Sequence, residues 1–242
     1  MPTRGVVYYA YGEQVNGRPV DQWVQRSVAS LRQHHPELPV HMIRPRRAAQ
    51  RVQGGDGVDW HLLAEKARMF EESPFDETLY LDIDTVVLGN LEFGFAKAAR
   101  HGIACAICEC PWARRHGGLA DAGDMIEYNS GVVFFSRAAE PVFRRWLELS
   151  TTLDCSLQFV NPWGQVGRMP YADQGAFAKA IADLDFNPFV LPLNWNFRAP
   201  VTSEFFGPIR IWHSYEDVPP AVHQLNRYYA EPNPIIQMHR RR

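Results

Sequence analysis

The chain has 242 residues, a net charge of −2 at pH 7 and a sequence pI of about 6.5. That length fits one large α/β domain or two small ones and can bury a core without staples, and nothing in the sequence suggests a division into two. The charge balance gives no global pull toward nucleic acid or anionic membrane, which excludes functions that need a basic surface over the whole molecule.

In chain order, Val6–Tyr11 is β-branched and aromatic and stops at Gly12, predicting a first strand that opens into a loop. Asp21 is placed to cap a helix through His35, with Trp23, Val24, Val28 and Leu31 at helical spacing and Pro36 as its stop. Val40–Ile43 predicts a second strand. The segment 44–57 reads as a polar loop with arginines at 44, 46, 47 and 51 and glycines at 54, 55 and 57. Those glycines match neither phosphate-binding fingerprint, because no strand leads straight into them and no Lys-Ser/Thr follows. Asp59–Glu72 reads as a helix carrying Lys66, ended by Ser73-Pro74.

Thr78–Leu81 is then a short apolar run that ends on Asp82-Ile83-Asp84, and a second apolar run, Val86–Leu88, follows. A buried strand that stops where two carboxylates reach the sheet edge supplies hard oxygen ligands for Mg²⁺ or Mn²⁺. Turn chemistry alone explains an Asp pair, but it does not require apolar runs on both sides. Next come a short helix near Leu91–Arg100, a strand Ile103–Cys108, and a long loop through Glu127 with the character of a lid or an acceptor-facing element. Asn129-Ser130-Gly131 opens into a strand, Val132–Phe135, followed by an amphipathic helix to about Ser150. Thr151–Pro170 reads as irregular. Asp173-Gln174-Gly175 begins a helix through Ala182, Phe189–Leu191 forms a strand, and Ile209–His213 alternates into a final one. The alternation predicts an α/β fold with a mixed, mostly parallel sheet flanked by helices.

Cys105, Cys108 and Cys110 with His116 make a candidate zinc set, but no second ligand pair stands at recognisable spacing, so the segment reads as a strand with small buried thiols. Reduced cysteines, a start unlike a signal peptide and the lack of a bilayer-length apolar run set the expectation of a cytoplasmic protein. Asp82, Asp84, Asn129, Asn194, Asn196 and His213 all sit just past apolar strands, and strand ends of a parallel sheet share the edge where ligands bind. Among them His213 is placed to complete an Asp/Asp/His metal set.

With these residues in view, the sequence resembles the glycogenin- and lipopolysaccharide-galactosyltransferase-like group of GT-A-fold glycosyltransferases from its first strand to about Tyr215. The resemblance rests on Lys66, Leu79 to Val87 around the aspartates, Asn129-Ser130-Gly131-Val132, Asp173-Gln174-Gly175, Leu191-Pro192 with Asn196, and His213, all in the same order. It implies a GT-A fold, Rossmann-like in layout, and transfer of a sugar from a nucleotide diphosphate, most simply a UDP-sugar, with retention of configuration. It also implies that Asp82, Asp84 and His213 hold Mn²⁺ or Mg²⁺ on the donor diphosphate. Lys66, Tyr9, Ile83, Asn129, Ser130 and Asn196 would line the donor site, and Asp173 with Gln174 would meet the reacting sugar. The implied layout is a single catalytic domain over 1–242. Residues to about 135 would serve the nucleotide-sugar and metal, 136–230 would face the acceptor, and 231–242 would form a tail.

Two departures stand out. The family's closing motif, His-Phe-x-Gly-x-x-Lys-Pro-Trp, reads His213-Ser214-Tyr215-Glu216-Asp217-Val218-Pro219-Pro220-Ala221 here, without its glycine and lysine. Arg198, Arg210 and Arg227 are candidates for the missing cation. Ala178 stands where the family carries a polar residue, which points to a different sugar or acceptor. The acceptor stays open among glycan, protein, another hydroxyl compound and a modified nucleobase, with Trp163 and Trp195 as candidates to stack a sugar ring. Two rivals remain. One is a haloacid-dehalogenase-type phosphohydrolase with Asp82 as nucleophile and Asp84 as acid, although that motif usually ends the first strand of its domain. The other is a nucleotide-sugar-binding module without turnover.

Overall fold

The structure, a computed structural model, describes residues 2–44, 65–109, 126–153, 157–160, 164, 166–169, 173–232, 235 and 238–240. The strands are β1 (Arg4–Tyr9), β2 (Gln14–Val15), β3 (Arg18–Pro19), β4 (Val40–Ile43), β5 (Glu77–Leu81), β6 (Thr85–Val87), β7 (Ile103–Ile107), β8 (Tyr128–Ser136), β9 (Leu157–Val160), β10 (Val166–Met169), β11 (Phe189–Leu191), β12 (Glu204–Phe206), β13 (Ile211–His213) and β14 (Met238–Arg240). The α-helices are α1 (Val20–His34), α2 (Met69–Glu72), α3 (Glu92–His101), α4 (Glu140–Thr152), α5 (Asp173–Asp183) and α6 (Pro220–Ala230).

Six strands form the central sheet in the order β11-β7-β8-β5-β1-β4. β1 runs parallel to β4 and β5, β11 runs parallel to β7, and β8 runs antiparallel to both of its neighbours. The unbroken apolar runs follow from helices covering both faces of this sheet, since successive side chains point to opposite sides. Val7, Tyr9, Tyr80, Cys105, Val133 and Phe135 pack with Phe143 and Trp146 of α4 and Phe177 of α5. Their alternates Val6, Tyr8, Leu79, Leu81, Ala104, Val132 and Phe134 pack with Leu31 of α1 and Phe95 of α3.

β6 and β13 form a separate antiparallel pair that places His213 opposite Thr85. A third cluster, with Val86, Phe197, Ile209 and Trp212, lies beneath it. Thr85 fixes the turn between β5 and β6. Its Oγ1 donates to the Asp82 carbonyl at 2.7 Å, and a hydroxyl chain continues through Ser27 of α1 to Tyr8 of β1, each link 2.9 Å. Burial, with the Ser27 bond opposing it, raises the Tyr8 pKa and keeps that phenol neutral.

Several expectations need correction. α1 starts at Val20 after Pro19 without a side-chain cap, and Asp21 instead pairs with Arg44 at 2.7 Å. Asn129, Ser130 and Gly131 lie inside β8 rather than ahead of it, because pairing with β7 reaches back to Tyr128, while the register with β5 covers only Val132–Ser136. Within 151–170, expected to be irregular, β9 and β10 pair antiparallel. The last expected strand shortens to Ile211–His213 and joins β6 rather than the main sheet. Cys105 and Cys108 are buried thiols, as expected, while Cys110, His116, Cys155 and Trp163 lie outside the described residues, as do the glycine loop and residues 59–64 of the helix expected before β5, whose remainder is a 3₁₀ turn, Glu65–Arg68, running into α2. Among the described residues no helix is long and apolar enough to cross a membrane.

Candidate active site

β5 ends at Leu81, which pairs with Val132, and the next residue, Asp82, donates its N–H to the Gly131 carbonyl at 2.8 Å. This register sets Asn129 and Ser130, near the amino-terminal end of β8, against the carboxyl-terminal end of β5. Asp84 occupies the turn, and its carbonyl accepts the Ser214 N–H at 2.9 Å, so the residue after His213 is tied directly to the aspartate pair.

Asp82, Asp84 and His213 each present one ligand atom within 4.8 Å of the other two. His213 Nε2 stands 3.3 Å from Asp84 Oδ1 and 3.6 Å from Asp82 Oδ2. Gly131 forms the floor: a methyl group there would come closer than 3.0 Å to both Asp82 Oδ2 and the His213 ring. Two carboxylates and one imidazole around a cradle that a Cβ would fill suit Mn²⁺ or Mg²⁺, with room left for outside oxygens. Burial alone would lower the His213 pKa, but the charges of Asp84 and Asp82 outweigh it and hold the value above the ordinary 6.5. Burial likewise works against an ionised Asp84, yet His213 keeps its pKa below the usual carboxylate value.

Beside this set lies Lys66, buried on the short 3₁₀ turn ahead of α2. Its Nζ is 3.0 Å from Asp82 Oδ1, 3.0 Å from Asp173 Oδ2 and 3.3 Å from Ser130 Oγ. Burial would depress its pKa, but Asp173 and Asp82 prevail and raise it. Ser130 also donates to Asp173 at 2.8 Å. Asn129 donates to Gln174 Oε1 at 3.0 Å, and Asn196 joins Asn129 Oδ1 at 2.7 Å and His213 Nδ1 at 2.7 Å. Asp173 and Gln174 occupy the first turn of α5, where the helix dipole favours an acidic side chain.

The structure therefore brings together Lys66, Asp82, Asp84, Asn129, Ser130, Asp173, Gln174, Asn196 and His213. Three other anticipated residues make different contacts. Tyr9 is buried in the core, and Ile83 packs against the α1 side of the sheet. Asn194 bonds to the carbonyls of Phe206 and Pro208, beside a pocket of about 480 Å³ at the Arg210 end of the β6–β13 pair. Trp195 is buried against Phe134 and Phe93 rather than free to stack a sugar. Of the three candidate arginines, Arg198 lies near enough to depress the His213 pKa and donates to Cys108 Sγ at 3.2 Å. Arg210 lies over Gly89, and Arg227 is exposed on α6.

Five further site residues escaped the sequence reading. Tyr80 donates to Asp82 Oδ1 at 2.6 Å, and burial and that carboxylate hold its pKa far above the ordinary phenol value. Tyr11 and Tyr215 feel the same acids, their pKa values raised by burial first and by nearby aspartates next. Glu127, buried, accepts from Gln174 Nε2. Arg26 of α1 donates to the carbonyls of Ser214 and Glu216, holding the segment that replaces the family's closing motif. A period-two reading signals two of them, since Tyr80 and Glu127 each stand two residues before a recognised site residue.

The sheet order, the antiparallel β8 and the acidic turn after β5 define the GT-A fold of nucleotide-sugar transferases. Mouse xyloside xylosyltransferase 1 shares it at TM-score 0.58 and 14% identity, over 87% of this chain and 97% of that one. The galactosyltransferase LgtC, solved with donor and acceptor sugar analogs, aligns at TM-score 0.52 and 15% identity, over 87% of this chain and 86% of that one. The glycosyltransferase GlyE of Streptococcus pneumoniae TIGR4 aligns at TM-score 0.52 and 14% identity, over 89% of this chain and 55% of its own. No protein-family model and no curated protein matches the sequence.

Proposed function

We propose that this chain is a metal-dependent glycosyltransferase that moves a sugar from a nucleotide-diphosphate donor, a UDP-sugar in the simplest reading, to a hydroxyl acceptor with retention of configuration. The observation that carries the reading is the convergence of Asp82, Asp84 and His213 beside Lys66, Asp173 and Gln174. Asp82, Asp84 and His213 would hold the divalent ion, which supplies positive charge against the diphosphate as the anomeric C–O bond breaks. Lys66 keeps Asp82 and Asp173 in place and balances their charge. Asn129 and Ser130 sit between the metal set and the first turn of α5, where the sugar would lie.

An oxocarbenium-like centre needs an electron-rich group on the sugar face. Asp173 is already paired with Lys66 and bonded by Ser130, whereas the Gln174 amide oxygen accepts one bond and keeps a second lone pair. Gln174 is therefore the group we assign to that face, with Asp173 held by Lys66 and Ser130 beside it in the same helical turn. Arg198, whose charge acts on His213, and Arg26, which is bonded to the Ser214 and Glu216 carbonyls, are our candidates to stand in place of the family's lysine. The phosphohydrolase alternative fits less well, because the aspartate pair follows β5, which comes after β1 and β4 in the chain, whereas that motif usually ends the first strand of its domain. The test is nucleotide release from a panel of UDP-, GDP- and other sugar donors with Mn²⁺, in parallel with a generic phosphate ester. Chelator-sensitive release from one donor, with retained configuration by proton NMR of the product, supports transfer. Hydrolysis of the ester with no donor turnover overturns it.

A further inference from the structure

A backbone N–H, which has only one possible role, fixes the direction of the amide chain that joins the metal set to the sugar face. The backbone N–H of Gly131 can only donate, and it donates to Asn129 Oδ1 at 2.8 Å, so that atom is the oxygen. Asn129 must then offer its NH₂ to Gln174 Oε1, 3.0 Å away. At the other end the Gln174 NH₂ is left to donate, and it donates to the Glu127 carboxyl. The Gln174 amide is thus held from both sides, its nitrogen toward Glu127 and its oxygen toward Asn129. Glu127 is only 1% exposed, so its interaction with that amide is poorly screened by water.

We propose that Glu127 is ionised and is a positioning residue for the transfer step, one that locks and polarises the Gln174 amide so that its oxygen meets the developing positive charge on the sugar. This rests on the transfer reading of the site. A hydrogen bond to an ionised acceptor is about twice as strong as a neutral one. It draws positive charge onto the Gln174 N–H and leaves the amide oxygen more negative. That polarisation matters little to a neutral bound sugar and most to an oxocarbenium-like centre, so it acts on the transition state rather than on donor binding. Glu127 itself exchanges no proton and forms no bond in this role.

Glu127→Gln separates this from a purely structural part, because the variant keeps the size and an acceptor oxygen and loses only the charge. The donor identified by the panel is used with Mn²⁺. The expected result is a fall in kcat of about ten- to a hundredfold, with donor KM within about twofold and the unfolding midpoint little moved. In ¹⁵N–¹H spectra the Gln174 side-chain amide protons, assigned through Gln174→Ala, should move upfield in Glu127→Gln as the charged acceptor is lost. Wild-type turnover with an unaltered kcat in Glu127→Gln overturns the role of Glu127 while leaving the transfer reading standing. A wild-type chain that turns over no donor overturns both.

Discussion

Lys66→Met removes a buried ammonium from between two carboxylates and keeps most of the side-chain volume. The Nζ lies 3.0 Å from each of Asp82 and Asp173, so the variant leaves two negative groups facing one another across an apolar gap. Breaking a buried charge pair costs about 3–5 kcal/mol. Asp82 keeps 29% of its side chain exposed against 15% for Asp173, so water relaxes part of the repulsion and the lower end, about 3 kcal/mol, is the better figure. For a chain of this size that corresponds to a drop in Tm of about 6–12 °C. Calorimetry of Lys66→Met and of Lys66→Met/Asp173→Asn tests the attribution, because removing one carboxylate should restore at least about 1 kcal/mol. The pH dependence adds a second check. The folded-state pKa of Lys66 lies above its ordinary 10.5, so its contribution is complete below that value and fades as pH rises through the folded one. The gap between wild type and Lys66→Met should therefore hold constant across neutral and mildly basic pH and narrow only in stronger base. A loss under about 1 kcal/mol, or strict additivity in the double variant, would refute the argument.

Three other outcomes follow from the same geometry. Mn²⁺ at a hundred times its Kd should stabilise the chain by about 2.7 kcal/mol, or about 5–11 °C in Tm, and Asp84→Ala or chelator should abolish the shift. Gly131→Ala would force a methyl against Asp82 and His213, so it should cost about 1–3 kcal/mol and remove the Mn²⁺-induced shift in the same thermal assay. Gly94→Ala should destabilise by about 1–3 kcal/mol rather than gain the usual helix propensity. Its Cβ would meet the ring of Phe134, which is held between Phe95 and Trp195; an unchanged or higher Tm would contradict the packing account.

How much of this was legible in the sequence varies with how local the signal is. The strand before Asp82 could be read because its apolar run is short and continuous and the acids interrupt it. Lys66, Asp173 and His213 came from the order of blocks, which survives at low identity. The partners of β6 and β8 were not legible. A three-residue strand such as Ile211–His213 carries no mark of whether it pairs with β5 or β6, and the choice is made by the third core cluster beneath it. Asn194 and Asn196 look alike in sequence, yet Asn196 is turned into the site and Asn194 toward the carbonyls of Phe206 and Pro208. Arg26 was out of reach for a similar reason, since its acceptors lie 188 and 190 residues away along the chain.

The measurement closest to the central claim is nucleotide release from the active sugar donor by wild type and Asp84→Ala, each with Mn²⁺ and with chelator. Wild-type release that needs the metal, and a loss of at least about a thousandfold in Asp84→Ala, is the result predicted by a metal held at Asp82, Asp84 and His213. Release that persists in chelator, or an Asp84→Ala variant as active as wild type, would contradict it.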